Sequence, residues 1–199
     1  GTVVWWRRCD RISYRRASTV VRKLREPLGR IFRYYLWAGV EILINGERVE
    51  AIDPLFLRGG FSNGVEQYGP PLTFVVAADC SDASRIVEVR FSELPVARWH
   101  NLPAEDKRRI GLVGGAGVSI VRGMREIDVG WYFMGTKRRE NYDDWWRCEV
   151  RFPPALDEVF GVTHSKQGIS PLPLLENVLA SEMEQVARNL NARARAAFQ

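Results

Sequence analysis

Histidine is scarce in this chain and poorly placed for chemistry. His100 and His164 are the only two, and neither has a second ligand-type residue at metal spacing. No Cys-x-x-Cys occurs, so no zinc pattern is present. The three cysteines, Cys9, Cys80 and Cys148, are an odd number without close pairing, and a reduced, cytoplasmic protein is the simplest expectation. No apolar run approaches the roughly 18 residues of a membrane-spanning helix. Residues 1–6 (GTVVWW) show no charged leader, apolar stretch and cleavage site in succession, so nothing reads as a secretory signal. They also begin without methionine on an apolar β-branched run, and the expectation is a piece of a longer protein. Internal repeats and low-complexity segments are missing. The glycine-rich residues 111–117 (GLVGGAG) lack the Gly-Lys-Ser/Thr ending of a phosphate-binding loop and run into a strand rather than a helix. They read as a mobile or tight connection into Val118.

What is present is an ordinary globular composition. In 199 residues, 46% are hydrophobic and 27% charged, enough for one large domain or two small ones. The charge is uneven. Residues 1–50 hold 11 Lys/Arg against 5 Asp/Glu, a net +6, and the remainder holds 18 against 19, a net −1. The excess is concentrated in Arg7, Arg8, Arg11, Arg15, Arg16, Arg22, Lys23 and Arg25. Such a cluster can attract the phosphates of nucleic acid or nucleotide, or it can be a solvated linker followed by the polar face of a helix.

Apolar spacing outlines the elements. Residues 2–6 (TVVWW) are β-branched and aromatic, which favours a strand. Val20, Val21, Leu24, Leu28, Ile31, Phe32, Tyr35 and Leu36 recur at helical spacing over residues 17–38. Ser18 is a candidate N-cap and Gly39 a stop, with Pro27 expected to kink or split the helix. Asn45-Gly46 marks a tight hairpin over residues 40–51. A long loop follows over residues 52–71. Strands are expected over 72–78, 85–91, 118–121, 125–131 and 146–152, with a polar turn at 79–84 and a short helix over 104–110. Pro153-Pro154 opens a short helix over 155–160. A long C-terminal helix spans about 174–198, with Leu175, Val178, Leu179, Val186, Leu190 and Ala194 as its apolar face. Glu149 and Arg151 alternate with Cys148 and Val150, as for a strand with one wet face. The order predicts an α+β class: a small mixed or antiparallel sheet backed by helices.

Two constellations can carry chemistry. Trp131, Tyr142 and Trp145-Trp146 lie around a charged stretch at residues 137–144 (KRRENYDD). Aromatics interleaved with arginine can stack bases, or they can cap a sheet edge. The second is residues 161–168 (GVTHSKQG), a small-residue loop between two helices that holds Lys166 beside hydroxyls, an amide and glycine. An ammonium on a flexible stem reaches phosphate as a point charge, and a solvated loop lysine reads the same way.

The lysine loop, Thr163-His164-Ser165-Lys166-Gln167, resembles the His-Asn-Lys-Gln loop of microrchidia-type ATPases. More loosely, it is similar to the Gln-Thr-Lys loop of DNA gyrase B and the mismatch-repair MutL proteins. All belong to the GHKL superfamily, with the ninety-kilodalton heat-shock chaperones. Three further landmarks fall in the microrchidia order. Gly1-Thr2-Val3-Val4 looks like the strand that closes the ATP-binding domain. Residues 40–49 (VEILINGERV) resemble the strand–Asn-Gly–strand opening of the next domain, and residues 117–127 (GVSIVRGMREI) its Gly-Ile-x-Ile-x-Arg-Asn-Gly-Arg strand pair. The departures are Ser165 for asparagine and Gly168-Ile169 for the Asp-Phe that follows Lys-Gln. The helical Glu-x-x-x-Asn for magnesium and the Asp-x-Gly-x-Gly for adenine are missing from residues 1–199. The resemblance therefore implies a transducer domain over residues 17–199, preceded at 1–16 by the last ATPase-domain strand and a linker. It implies a fold like the second domain of ribosomal protein S-five. ATP and Mg2+ would belong to the intact ATPase, with Lys166 reaching the γ-phosphate and Gln167 contacting phosphate or positioning the loop. The implied partner is the ATP-binding domain of the same protein, a homodimer is compatible with it, and no membrane partner is expected. The alternative is a free-standing nucleic-acid-binding module using the N-terminal arginines and the Arg138, Arg139 and Trp145 region.

Overall fold

Alternation along one strand, Trp146–Phe152, decides how the molecule is layered. Trp146, Cys148, Val150 and Phe152 face one way, and Arg147, Glu149 and Arg151 face the other. A computed structural model describes residues 1–5, 7, 11–60, 62, 64–76 and 85–199. The element order is α1 (Ala17–Ile31), α2 (Arg33–Trp37), β1 (Leu43–Ile44), β2 (Glu47–Arg48), β3 (Glu66–Gln67), β4 (Leu72–Val75), β5 (Ile86–Glu93), α3 (Val96–Trp99) and α4 (Ala104–Arg109). Then come β6 (Val118–Arg122), β7 (Arg125–Gly130), β8 (Trp146–Phe152), α5 (Asp157–Phe160) and α6 (Pro173–Ala197).

The described strands form a two-stranded hairpin, β1–β2, and one mixed six-stranded sheet in the order β3-β5-β8-β6-β7, with β4 also on β5. Strand β8 is central. It pairs antiparallel with β5, Phe91 opposite Cys148, and parallel with β6, Val118 opposite Cys148. The chain is thus α+β, a mixed sheet backed by helices.

The dry face is covered by α6. Leu175, Leu179, Met183, Ala187 and Leu190 recur every three or four residues and pack on Val89, Phe91, Ile120, Val150 and Phe152. Each fully buried Leu, Ile, Val, Met or Phe side chain among these contributes about 1.5–3 kcal/mol. The stripe differs from the expected one at Val178, which is exposed, because Ala180 and Met183 turn inward instead. Cys148 is a free thiol in this core, and burial pushes its pKa well up. Cys9 and Cys80 lie outside the described residues.

The other face is polar but not wet, contrary to the expectation from alternation. Helices α1 and α2 cover it, and Arg33 is wholly buried there. Its guanidinium donates to Glu126 (3.0 Å), to Ser119 (2.9 Å) and to Glu149. Arg30 reaches the second oxygen of Glu126 at 2.7 Å, and the Tyr34 hydroxyl donates to Glu149. Burial of Glu149 is possible because these donors replace water.

Two further expectations change. Helix α1 runs through Pro27, and the division falls at Phe32 (φ −103°, ψ 17°). There the turn to α2 directs Arg33 into the sheet, so tertiary ion pairing places the break and not the proline. The cap is Arg16, without a side-chain bond, in place of Ser18. Residues 2–5 form no strand, and Val3 and Trp5 are 88% and 74% exposed. A strand needs a neighbour for its backbone groups, and among the described residues none lies beside this segment. Trp6 and the expected turn at 79–84 lie outside the described residues. The Asn45-Gly46 hairpin forms as expected, with φ of 51° and 82° at its two turn residues.

Candidate functional site at the Lys166 loop

The loop that carries Lys166 is anchored before it is exposed. Phe160, the last residue of α5, is buried and stacks on Phe152 of β8 with centroids 3.7 Å apart. At the start of α5, Asp157 receives both Arg122 Nε (2.6 Å) and Nη2 (2.8 Å) from the end of β6. The chain then leaves the helix through Gly161 at φ +57°. An added Cβ there would collide with the Ser170 carbonyl, so glycine is required on two counts. The returning segment is stitched to α5. Ser170 N donates to Phe160 O and Gly161 O, both at 3.1 Å, and Leu172 N to Val159 O at 3.0 Å.

Above this base, residues 163–168 close on themselves. Thr163 N donates to Gly168 O at 3.2 Å, and Lys166 N to Thr163 O at 2.8 Å. The Thr163 hydroxyl accepts from Gln167 N at 3.3 Å and lies 3.2 Å from the Ser165 hydroxyl. The Asp128 carboxylate of β7, to which the Tyr132 hydroxyl donates, lies where a side chain at Gly168 would meet it. Burial and Asp128 together push that tyrosine up to about 12.

Lys166 itself adopts φ +52°, the left-handed region that a residue with a Cβ rarely takes. Among the described residues, the side chains of Lys166, Gln167 and His164 have no hydrogen bond or ion pair, and all three are exposed. The tip therefore presents one ammonium and one amide to the outside on a tied-down loop. This donor set suits an anionic phosphate. It offers no carboxylates for Mg2+ and no walls for a purine. Among the described residues, no group of three or more His, Cys, Asp or Glu side chains is placed to hold a metal ion. Open depressions of about 430 and 360 Å³ lie elsewhere, beside the β1–β2 hairpin.

The other constellation is absorbed into packing. Trp146 is buried and Trp145 nearly so, the latter edge-on to Phe198 at 5.4 Å. Lys137 is buried against Asp143 at 2.5 Å, and Asn191 links Asp143 (2.9 Å) to the Trp146 indole N–H (2.8 Å). Arg139 lies over Trp131 and donates to the Ala116 carbonyl. Of that region's cations, only Arg138 is without a side-chain partner among the described residues. Trp145 and Trp146 are thus turned into the core, and Trp131 and Tyr142 are the half-exposed rings of that stretch. His100 likewise serves packing, its Nδ1 2.9 Å from Val96 O and its ring edge-on to Phe198.

The glycine-rich residues 111–117 form a tight connection pinned by a cation. Arg147, buried on the polar face, donates to the carbonyls of Gly111 (2.7 Å), Leu112 (3.0 Å) and Asp144 (3.0 Å). Burial pulls its guanidinium down to about 10. The supports of the lysine loop were hidden from sequence reasoning except for Gly161, whose place after a short apolar helix is a readable C-terminal signal. The Arg122–Asp157 pair joins residues 35 positions apart and leaves no local trace.

No helix among the described residues is long and apolar enough to cross a membrane. No protein-family model matches the chain, and no curated protein matches it significantly.

Proposed function

We propose that this chain is the transducer-type domain of a GHKL-superfamily ATPase, delivering Lys166 to the terminal phosphate of ATP held with Mg2+ by a preceding domain. The observation that carries the reading is the conformation of Lys166. An unpaired ammonium sits at a left-handed position on the tip of a closed, anchored loop. Strain of this kind persists where the surroundings over-determine it, and it concentrates at functional positions. The order of the hairpin, the 117–127 strand pair and the lysine loop supports the family reading.

The physical logic is electrostatic. Negative charge redistributes on a transferring phosphoryl group, and a preorganised cation aimed there lowers the barrier without reorganising at the moment of reaction. Gln167, next on the same tip, supplies an amide donor to a phosphate oxygen or orients the loop. A lysine brought from a second domain makes nucleotide state and domain geometry interdependent. The chain alone offers one charge and is not expected to hydrolyse ATP.

The test is Lys166→Ala in the intact ATPase. Losing one preorganised charge costs about 3–4 kcal/mol of barrier, roughly a hundred- to a thousand-fold in kcat. KM for ATP should change only about threefold, since adenine and magnesium contacts lie elsewhere. Lys166→Arg should rescue poorly, because a planar fork replaces a point charge. Wild-type turnover in the alanine variant would overturn the role of Lys166.

A further inference from the structure

The N-terminal basic cluster is left unused by the lysine loop, and the structure divides it sharply. Arg30 and Arg33 are consumed by the buried carboxylates, and Arg25 is paired with Glu47. Beyond residue 33, every described arginine except Arg138 has a carboxylate, a carbonyl, a ring or another partner. By contrast, Arg11, Arg15, Arg16, Arg22 and Lys23 are exposed, and among the described residues their side chains have no partner. Among the described residues, cations without a partner are thus concentrated in one short stretch, with Arg138 and Lys166 as isolated cases elsewhere.

Geometry makes the stretch a surface. Ser18, Arg22 and Arg25 follow at helical spacing on α1, and with Val21 they line an open depression of about 430 Å³ facing Ile44, Asn45 and Glu47 of the hairpin. Arg15 and Arg16 lie just before the helix, Arg16 as its extended N-cap, and add two exposed cations at that end of the row. The first turn of α1 holds no acidic residue. We propose that this face of α1, with the groove beside the hairpin, binds the phosphate backbone of nucleic acid independently of sequence. Arginine forks match phosphate oxygens, and the Ser18 hydroxyl and Asn45 amide add neutral donors. A membrane surface fits less well. A helix that lies in a bilayer interface needs a large apolar outward face, whereas Val20, Leu24 and Leu28 are half-buried on α1 and its exposed positions are mostly charged or polar.

The proposal stands apart from the Lys166 reading and is tested on the whole chain with a fluorescent duplex DNA of arbitrary sequence and about 20 base pairs. With about four phosphate contacts, log K should fall with log salt at a slope near −3.6, roughly a hundred-fold weaker binding from 50 to 200 mM. Replacing Arg15, Arg16, Arg22 and Lys23 by glutamine keeps good helix formers in place and should weaken binding about tenfold or more and flatten the slope. Arg15→Lys, Arg16→Lys and Arg22→Lys together keep the charge and should retain salt-dependent binding within about threefold. Lys166→Ala should leave DNA binding unchanged, which separates failure of this proposal from failure of the phosphate role of Lys166. Equal binding by the glutamine variant, or no binding by the wild type at low salt, overturns the proposal. So does preference for phosphatidylserine-containing vesicles over DNA in competition.

Discussion

Arg33 shows most clearly how single residues hold this fold. Burial alone would lower its pKa, but Glu149 and Glu126 more than reverse that, and the guanidinium stays charged with a raised pKa. It links α2 to β7 and β8 at once. Arg33→Ala would leave two carboxylates, 5% and 2% exposed, without their shared cation. Removing one partner of a buried pair costs about 3–5 kcal/mol, because the remaining charge is uncompensated. Urea denaturation should show that loss as a lower midpoint at unchanged slope, and a shift equivalent to less than about 1 kcal/mol would mean the carboxylates are hydrated once the arginine is gone. Arg33 was legible only as a polar interruption within an apolar helical stripe, and Glu149 only as the polar half of an alternation. Alternation reports that a face is polar. It does not report whether another polar surface covers it, since the partners lie 93 and 116 positions apart in sequence.

Elements whose cause is local were readable, and those whose cause is distant were not. The Asn45-Gly46 turn, strand β8, helix α4 and the long α6 follow from neighbours in sequence. Residues 2–5 have strand composition but no partner beside them among the described residues, and α1 breaks where Arg33 is claimed by the sheet rather than at Pro27. The lysine loop lies between these cases. Its glycines and hydroxyls were visible, whereas the left-handed backbone of Lys166 was not. That backbone yields its own prediction. A residue with a Cβ in this region carries roughly 1–2 kcal/mol of local strain, which glycine does not. Part of the gain is offset by the freer unfolded chain, so Lys166→Gly should stabilise the protein by up to about 1 kcal/mol while removing the ammonium. Thermal denaturation should place the glycine variant above both wild type and Lys166→Ala. A glycine variant less stable than alanine would show that the loop imposes no strain at this position, and the conformational argument for function would go with it.

At the scale of the whole molecule, the two faces of the sheet are held by different physics. Helix α6 is fixed by aliphatic and aromatic burial across β5, β8 and β6. Helices α1 and α2 are fixed on the opposite face largely through Arg30, Arg33 and Tyr34, with Gly29 fitted closely against the backbone of residue 50 and accepting from Ile52 N at 3.1 Å. Apolar burial is non-directional and survives small displacements, whereas a buried ion-pair seam loses most of its value once water enters. The α1–α2 layer should therefore open as a unit while the α6 layer stays closed. Native-state hydrogen exchange should show α6 and β8 amides exchanging only through global unfolding. Amides of α1 between Val20 and Gly29 should exchange through an opening about 2–4 kcal/mol cheaper, as for a separate cooperative unit. Arg33→Ala should lower the α1 opening free energy more than it lowers that of α6. Equal protection across both layers would mean that the charged seam is as cohesive as the apolar one. The distinction bears on the two proposals because unpaired Arg22 and Lys23 ride on α1 and Arg15 and Arg16 lead into it, whereas the Lys166 loop is built on α5, β8 and the start of α6. Opening of one layer would then move the start of α1 and leave the Lys166 loop in place.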